Sequence, residues 1–204
     1  MFDQLRRRRA NGKMQLAFDR RDPVLLKKAL DSGACPDQAV SSDSAAALPA
    51  LDLAIRLGLT EHVRLLLHAG AAIEPEAPRL VAAVTADTHS LPILTLLLQA
   101  GADPNSAGGL ALFTALDSDD EAAAQLRLSR LLEYGGQISA ANHRGCSLLE
   151  LALQKEFRQL SCTLINAGAP LPPGLDQLDC SDELKALARR WADDVAIRRM
   201  LQGH

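Results

Sequence analysis

The chain has 204 residues and a formal charge of −3 at pH 7; 48% of it is hydrophobic but only 3% is aromatic. That length can bury one sizeable core, so the starting expectation is a single domain, 1–204. The acidic balance argues against a general affinity for phosphate backbones, which needs a basic face, and the scarcity of rings favours thin, closely packed helices over a β-sandwich.

At the start of the chain, Arg6 to Arg9 form a basic run, read as a solvated end. No apolar stretch reaches the length of a signal peptide or a membrane span, so a cytoplasmic location and no membrane partner are expected. Cys35, Cys146, Cys162 and Cys180 are widely separated, without a Cys-x-x-Cys pair. They read as reduced structural thiols.

From residue 12 onward the chain is punctuated. Apolar runs close on Gly33-Ala34, Gly70-Ala71, Gly101-Ala102, Gly135-Gly136 and Gly168-Ala169, at intervals of 37, 31, 34 and 33 residues between the first glycines. A glycine reaches the left-handed conformation that ends a helix without a Cβ penalty, so each is a helix stop. Seven, four and three residues before each stop lie Leu26/Ala29/Leu30, Val63/Leu66/Leu67, Leu94/Leu97/Leu98, Leu128/Leu131/Leu132 and Ser161/Leu164/Ile165. This spacing puts one apolar stripe on each helix, with Ser161 as its single polar member. A shorter helix is expected before each, around Leu16-Ala17, Leu53-Ala54, Val84-Thr85 and Leu151-Ala152. In the fourth copy Leu112 to Leu116 lie too early, which predicts an enlarged turn around Asp117 to Ala124.

The connections differ in character. The first hairpin region, Pro36 to Leu48, is long and rich in Ser and Ala, whereas Glu74-Pro75-Glu76-Ala77-Pro78 is short and stiffened by proline. After residue 170 prolines forbid a helix, and Ser181 is a plausible N-cap for a terminal one. Leu184, Leu187, Ala188, Trp191 and Val195 share a face of that helix, which is expected to cover the last repeat with Trp191 in the core.

The segment Leu51-Asp52-Leu53-Ala54-Ile55-Arg56-Leu57-Gly58 through Val63 to Ala71 resembles an ankyrin repeat, as does Gly145 to Leu153 continuing to Asn166-Ala167-Gly168-Ala169. The resemblance covers roughly residues 12 to 170. It implies an all-α ankyrin-repeat solenoid of about five helix-turn-helix repeats, approximately 12–36, 48–73, 79–104, 109–138 and 145–170, with a capping helix at 180–202. No copy contains the family's Thr-Pro-Leu-His phrase. Asp52 and Glu150 stand at its His position, where lower local turn stability is expected.

No element of catalysis is legible. There is no phosphate-binding Gly-rich loop, no Gly-x-Ser-x-Gly elbow and no His-Glu-x-x-His pair. His62, His68, His89, His143 and His204 are dispersed and suggest no shared metal site. Asp117-Ser118-Asp119-Asp120-Glu121 imitates the start of a calcium loop, but Ala122 stands where the turn needs Gly and Leu128 where the closing carboxylate belongs. No enzyme activity, cofactor or metal is expected.

The resemblance implies instead that a protein partner docks on a concave wall of hairpin tips and first-helix ends. Carried over by position, the candidates between the helices are Arg56, Leu57, Asp87, Thr88, Gln154 and Lys155, beside the acidic stretch Asp117, Asp119, Asp120 and Glu121. Those in the hairpins are Glu74, Glu76, Arg79, Asp103, Asn105, Asn142, His143 and Arg144. Similar small bacterial ankyrin proteins include immunity proteins that occlude a toxin or secreted effector. A chain of that kind, monomeric when free and facing a basic partner surface, is one expectation, and a regulatory or scaffolding adaptor is the other.

Overall fold

The computed structural model describes residues 2–42, 45–73, 78–86 and 90–202, with side chains placed for 5–41, 47–73, 78–86 and 90–202. The chain divides into two compact units, Met1–Ala102 and Asp103–His204, where the sequence suggests one domain. Glu74, Glu76, Asp87 and Thr88 lie outside the described residues.

The first unit contains helices α1 (Phe2–Asp19), α2 (Pro23–Asp31), α3 (Ala50–Arg56), α4 (Thr60–His68), α5 (Arg79–Thr85) and α6 (Ser90–Gln99). They pair as α1 with α2, α3 with α4 and α5 with α6; α2 then packs on α4, α4 on α6, and α3 on α5. The predicted stripe is the core: Leu26, Ala29, Val63, Leu66, Leu94, Leu97 and Leu98 are all buried. Each of the five closing glycines is left-handed, and each closure repeats the same bond pair. At the first, the Gly33 N–H donates to the Leu30 carbonyl at 2.9 Å and the Ala34 N–H to Ala29 at 3.0 Å. The last carbonyls of the helix are thereby satisfied within a single turn.

One feature of this unit differs from the sequence expectation. Helix α1 begins at Phe2, about ten residues ahead of the predicted repeat, and among its described side chains the buried ones are Ala10, Met14, Ala17 and Phe18. The long Ser/Ala hairpin region forms two antiparallel strands, β1 (Ala39–Ser42) and β2 (Ala45–Pro49), pairing Ala39 with Pro49 and Val40 with Leu48. Its fold onto α1 has a specific cause. The Gln15 amide mimics a strand edge, its Oε1 accepting the Ser41 N–H at 2.9 Å and its Nε2 donating to the Ser41 carbonyl at 2.7 Å.

The second unit holds α7 (Ser106–Ala115), α8 (Glu121–Glu133), α9 (Leu148–Gln154), α10 (Arg158–Asn166), a 3-10 turn at Leu175–Gln177 and α11 (Asp182–Leu201). Here α8 and α9 both pack on α10, whose other neighbour is α11. The extra residues of the fourth copy go mainly into helix: α8 runs for 13 residues against 9 in α10, and the turn at 116–120 is only slightly longer than its counterparts. Gly136 replaces the alanine of the other closures because a Cβ there would lie 2.8 Å from the Leu112 side chain and 2.9 Å from the Leu131 carbonyl oxygen.

Ser181 caps α11 by accepting the Leu184 N–H, and Glu156 in turn accepts from both the N–H and the hydroxyl of Ser181. Leu184 and Ala188 are buried against α10, but Leu187, Trp191 and Val195 are only half-buried. Trp191 is therefore an edge residue rather than a core one, because α11 outruns the nine-residue helix beneath it.

Ser161, the polar member of the stripe, is fully buried and its hydroxyl has no hydrogen-bond partner. Such a group carries its desolvation cost uncompensated. Ser161→Ala is expected to raise stability by about 1 kcal/mol, read as a higher midpoint in chemical denaturation.

Candidate protein-contact surface

The polar side chains near the hairpins sort by what they already hold. The Ala72 peptide is clamped from both sides: its N–H donates to Asp37 at 2.8 Å and its carbonyl accepts from Arg79 Nη1 at 2.6 Å. Arg79 also donates through Nε to Asp52 at 2.5 Å, and its side chain is only 7% exposed. One network thus joins the end of the first repeat, both ends of the second and the start of the third. Arg79, expected as a partner contact, is an internal tie, since a guanidinium this buried persists only when paired and hydrogen-bonded.

Asn105 has a similar duty. Its Oδ1 accepts the Gln137 N–H at 2.8 Å and its Nδ2 donates to the Gly135 carbonyl at 2.9 Å. Asp37 and Asn105 each stand four residues after a closing glycine, in Gly33-Ala34-Cys35-Pro36-Asp37 and Gly101-Ala102-Asp103-Pro104-Asn105. That shared phrase is the signal by which the ties were legible. Asn142 also serves the fold, its Oδ1 accepting from the Arg144 and Cys146 amides to close the turn beside the Ala141–Ser147 bridge. Asp103 accepts the Asn105 N–H.

What remains lies, within each unit, near a hairpin tip or at the end of a first helix. At a hairpin tip, His143 and Arg144 are exposed and their side chains make no bond among the described residues. At the opposite ends of the first helices lie Arg56 and Gln154, both exposed, with half-buried Leu57 beside Arg56. Helix α9, with 7 residues and about 10 Å of length, runs between the two groups in its repeat.

The acidic stretch is partly engaged. Asp120 caps α8 through the Ala122 N–H, and Glu121 accepts the Leu160 N–H at 2.9 Å. Lys155 donates to the Ser118 carbonyl, stands 3.9 Å from Asp119 and lies 5.8 Å from the Phe157 ring centre. Asp117 and Asp119 remain exposed. Between α3 and α5 there is also a cavity of about 190 Å³, lined by Leu48, Ile55, Pro78 and Ala82 with Arg56 and the Asp52–Arg79 pair at its edge.

No protein-family model matches the chain, and no curated protein does. Among solved structures, the ankyrin repeat domain of Bcl-3, titled a unique member of the IkappaB protein family, aligns with a TM-score of 0.68 and 21% identity over 87% of this chain and 81% of its own. This chain has the ankyrin-repeat fold. Within that fold Asp52, at the family's His position, binds the arginine of the following repeat. No helix among the described residues is long and apolar enough to cross a membrane.

Among the described residues the one deeply buried histidine is His62, 2% exposed, with its ring edge-on to Phe18 at 5.2 Å and Nε2 3.4 Å from the Ala17 carbonyl oxygen. Burial pushes its pKa below the ordinary 6.5, outweighing the opposing pull of that carbonyl and of Asp22 and Glu61. The unfolded chain therefore takes up the proton first. This contribution to stability is complete above about pH 6.5 and is lost as pH falls toward the folded-state value. Thermal unfolding should shift to lower temperature on acidification below pH 6.5, and His62→Leu should flatten that part of the profile.

The sorting of arginines makes a second prediction. Arg79→Ala is expected to destabilise the fold by about 2–3 kcal/mol by orphaning Asp52 and the Ala72 carbonyl. Arg56→Ala should stay within about 0.5 kcal/mol. Denaturant titration of both variants checks the difference.

Proposed function

We propose that this ankyrin-repeat chain is a non-catalytic module that binds another protein through its hairpin tips and first-helix ends. The observation that carries the reading is the division among its polar side chains. Arg79, Asn105, Asn142, Asp120 and Glu121 are engaged in holding turns, caps and repeats together. His143, Arg144, Arg56, Gln154 and Asp117 are left exposed on backbone those bonds immobilise. Side chains displayed on a fixed backbone lose little further freedom on docking, which favours association.

In its specific form the proposal is a cytoplasmic immunity protein, monomeric when free, that occludes a toxin or secreted effector. The support is the likeness to small bacterial ankyrin proteins together with exposed Asp117 and Asp119, which suit a basic partner surface. Exposed residues at both ends of α9, His143 and Arg144 before it and Gln154 at its close, favour an alternative, an adaptor that holds two proteins at once.

Affinity purification from the native host, followed by titration of the recovered partner, tests both. The native chain should capture a partner, and Asp117→Lys/Asp119→Lys or His143→Ala/Arg144→Ala should weaken it by about tenfold without lowering the melting temperature. Equal affinity for native chain and both variants would remove these surfaces from consideration. One partner gained and a second retained would establish the adaptor.

A further inference from the structure

Charge is strongly segregated along this chain. Residues 1–33 hold nine basic and four acidic side chains, a net of +5, whereas 34–204 hold 13 and 21, a net of −8. All nine of those basic residues, Arg6 to Arg9, Lys13, Arg20, Arg21, Lys27 and Lys28, are exposed. Among the described residues none of their side chains makes a hydrogen bond or ion pair. Elsewhere basic residues are commonly paired: Arg64 with Glu61, Arg79 with Asp52, Arg130 with Glu133, Arg158 with Glu183 and Arg189 with Asp176.

The arginine run also lies on a helix that has little to hold it. No side chain from Leu5 to Arg9 is buried, so the first half of α1 lacks the packing from which most helical stability comes. Arg6 and Arg9, three apart on one face, repel each other, and their charge opposes the positive end of the helix dipole. A negatively charged ligand would relieve both penalties.

Beside this arm is a cavity of about 560 Å³, lined by Arg6, Arg7 and Asn11 on α1 and by Asp31 to Cys35 at the end of α2. We infer that this groove binds an acidic peptide segment of a partner protein, with carboxylates on Arg6 and Arg7. The lining selects a peptide over a nucleic acid. The Asp31 carboxylate in that lining offers an acceptor that peptide N–H groups can use and a phosphate backbone cannot. Among the described side chains of the first repeat there is no exposed aromatic ring for a base to stack on. This surface is separate from, and opposite in charge to, the acidic stretch at Asp117.

The test is fluorescence anisotropy of the full chain with a labelled oligoglutamate peptide, at low and at physiological ionic strength. The native chain should bind, more weakly as salt rises, and amide exchange in the first half of α1 should slow in the complex. Arg6→Glu/Arg7→Glu should weaken binding by about tenfold or more, and Lys27→Glu/Lys28→Glu, the same charge change outside the groove, by less than about threefold. Arg6→Gln/Arg7→Gln, which keeps helix propensity, must weaken it as well. Failure of the native chain to bind, equal losses in the Arg and Lys reversals, tighter binding of an oligothymidylate, or a dimer dissolved by the Arg reversal in sedimentation would each overturn the inference.

Discussion

A helix obliged to stop after 9 to 13 residues must satisfy its last carbonyls at once, and in this chain that obligation is met the same way five times. A left-handed glycine turns the backbone so that two successive amides fold back onto the helix end. Everything else follows from the abruptness of that stop. Because each second helix ends at the same point of its apolar stripe, the stripes of α2, α4 and α6, and of α8 and α10, meet in register. The turns between paired helices copy the device with less suitable residues. Arg21 and Glu156 adopt the left-handed conformation that Gly58 takes freely, and Glu156 is retained where its carboxylate secures Ser181.

This explains why the repeat was legible from the sequence and much around it was not. Glycine at a helix stop and leucine at three- and four-residue spacing are direct consequences of backbone and burial, so they recur with the period. The first half of α1 left no such mark, since Leu5 to Arg9 bury nothing and so show no apolar periodicity to detect. The hairpin region at 36–48 was legible, but what holds its short Ala/Ser strands was not: they depend on a side-chain amide from α1, a contact that no local pattern announces. Trp191 was misjudged because a large apolar side chain on the correct face was taken to be covered, while the covering helix is shorter than the one that carries it.

The contact surface was legible as a region and less so as residues. Position within the repeat identifies which side chains lie near a tip or a helix end, and His143, Arg144, Arg56 and Gln154 are exposed there. It does not reveal which of them are already occupied. Arg79 is seven residues from one of its partners, Ala72, and 27 from the other, Asp52. In a ladder-like fold, polar residues that join one rung to the next stand beside those that face outward, and only the presence of a partner tells them apart.

Gly136 bears on any attempt to standardise the rungs. Four of the five closures carry alanine after their glycine, so averaging the copies would write a methyl group into the fourth as well. There it would push against Leu112 and the Leu131 carbonyl oxygen at once. Interchanging units between positions is therefore restricted: the fourth module can donate its closing dipeptide to the others at the small entropic disadvantage of an extra glycine, but cannot accept theirs without repacking α7.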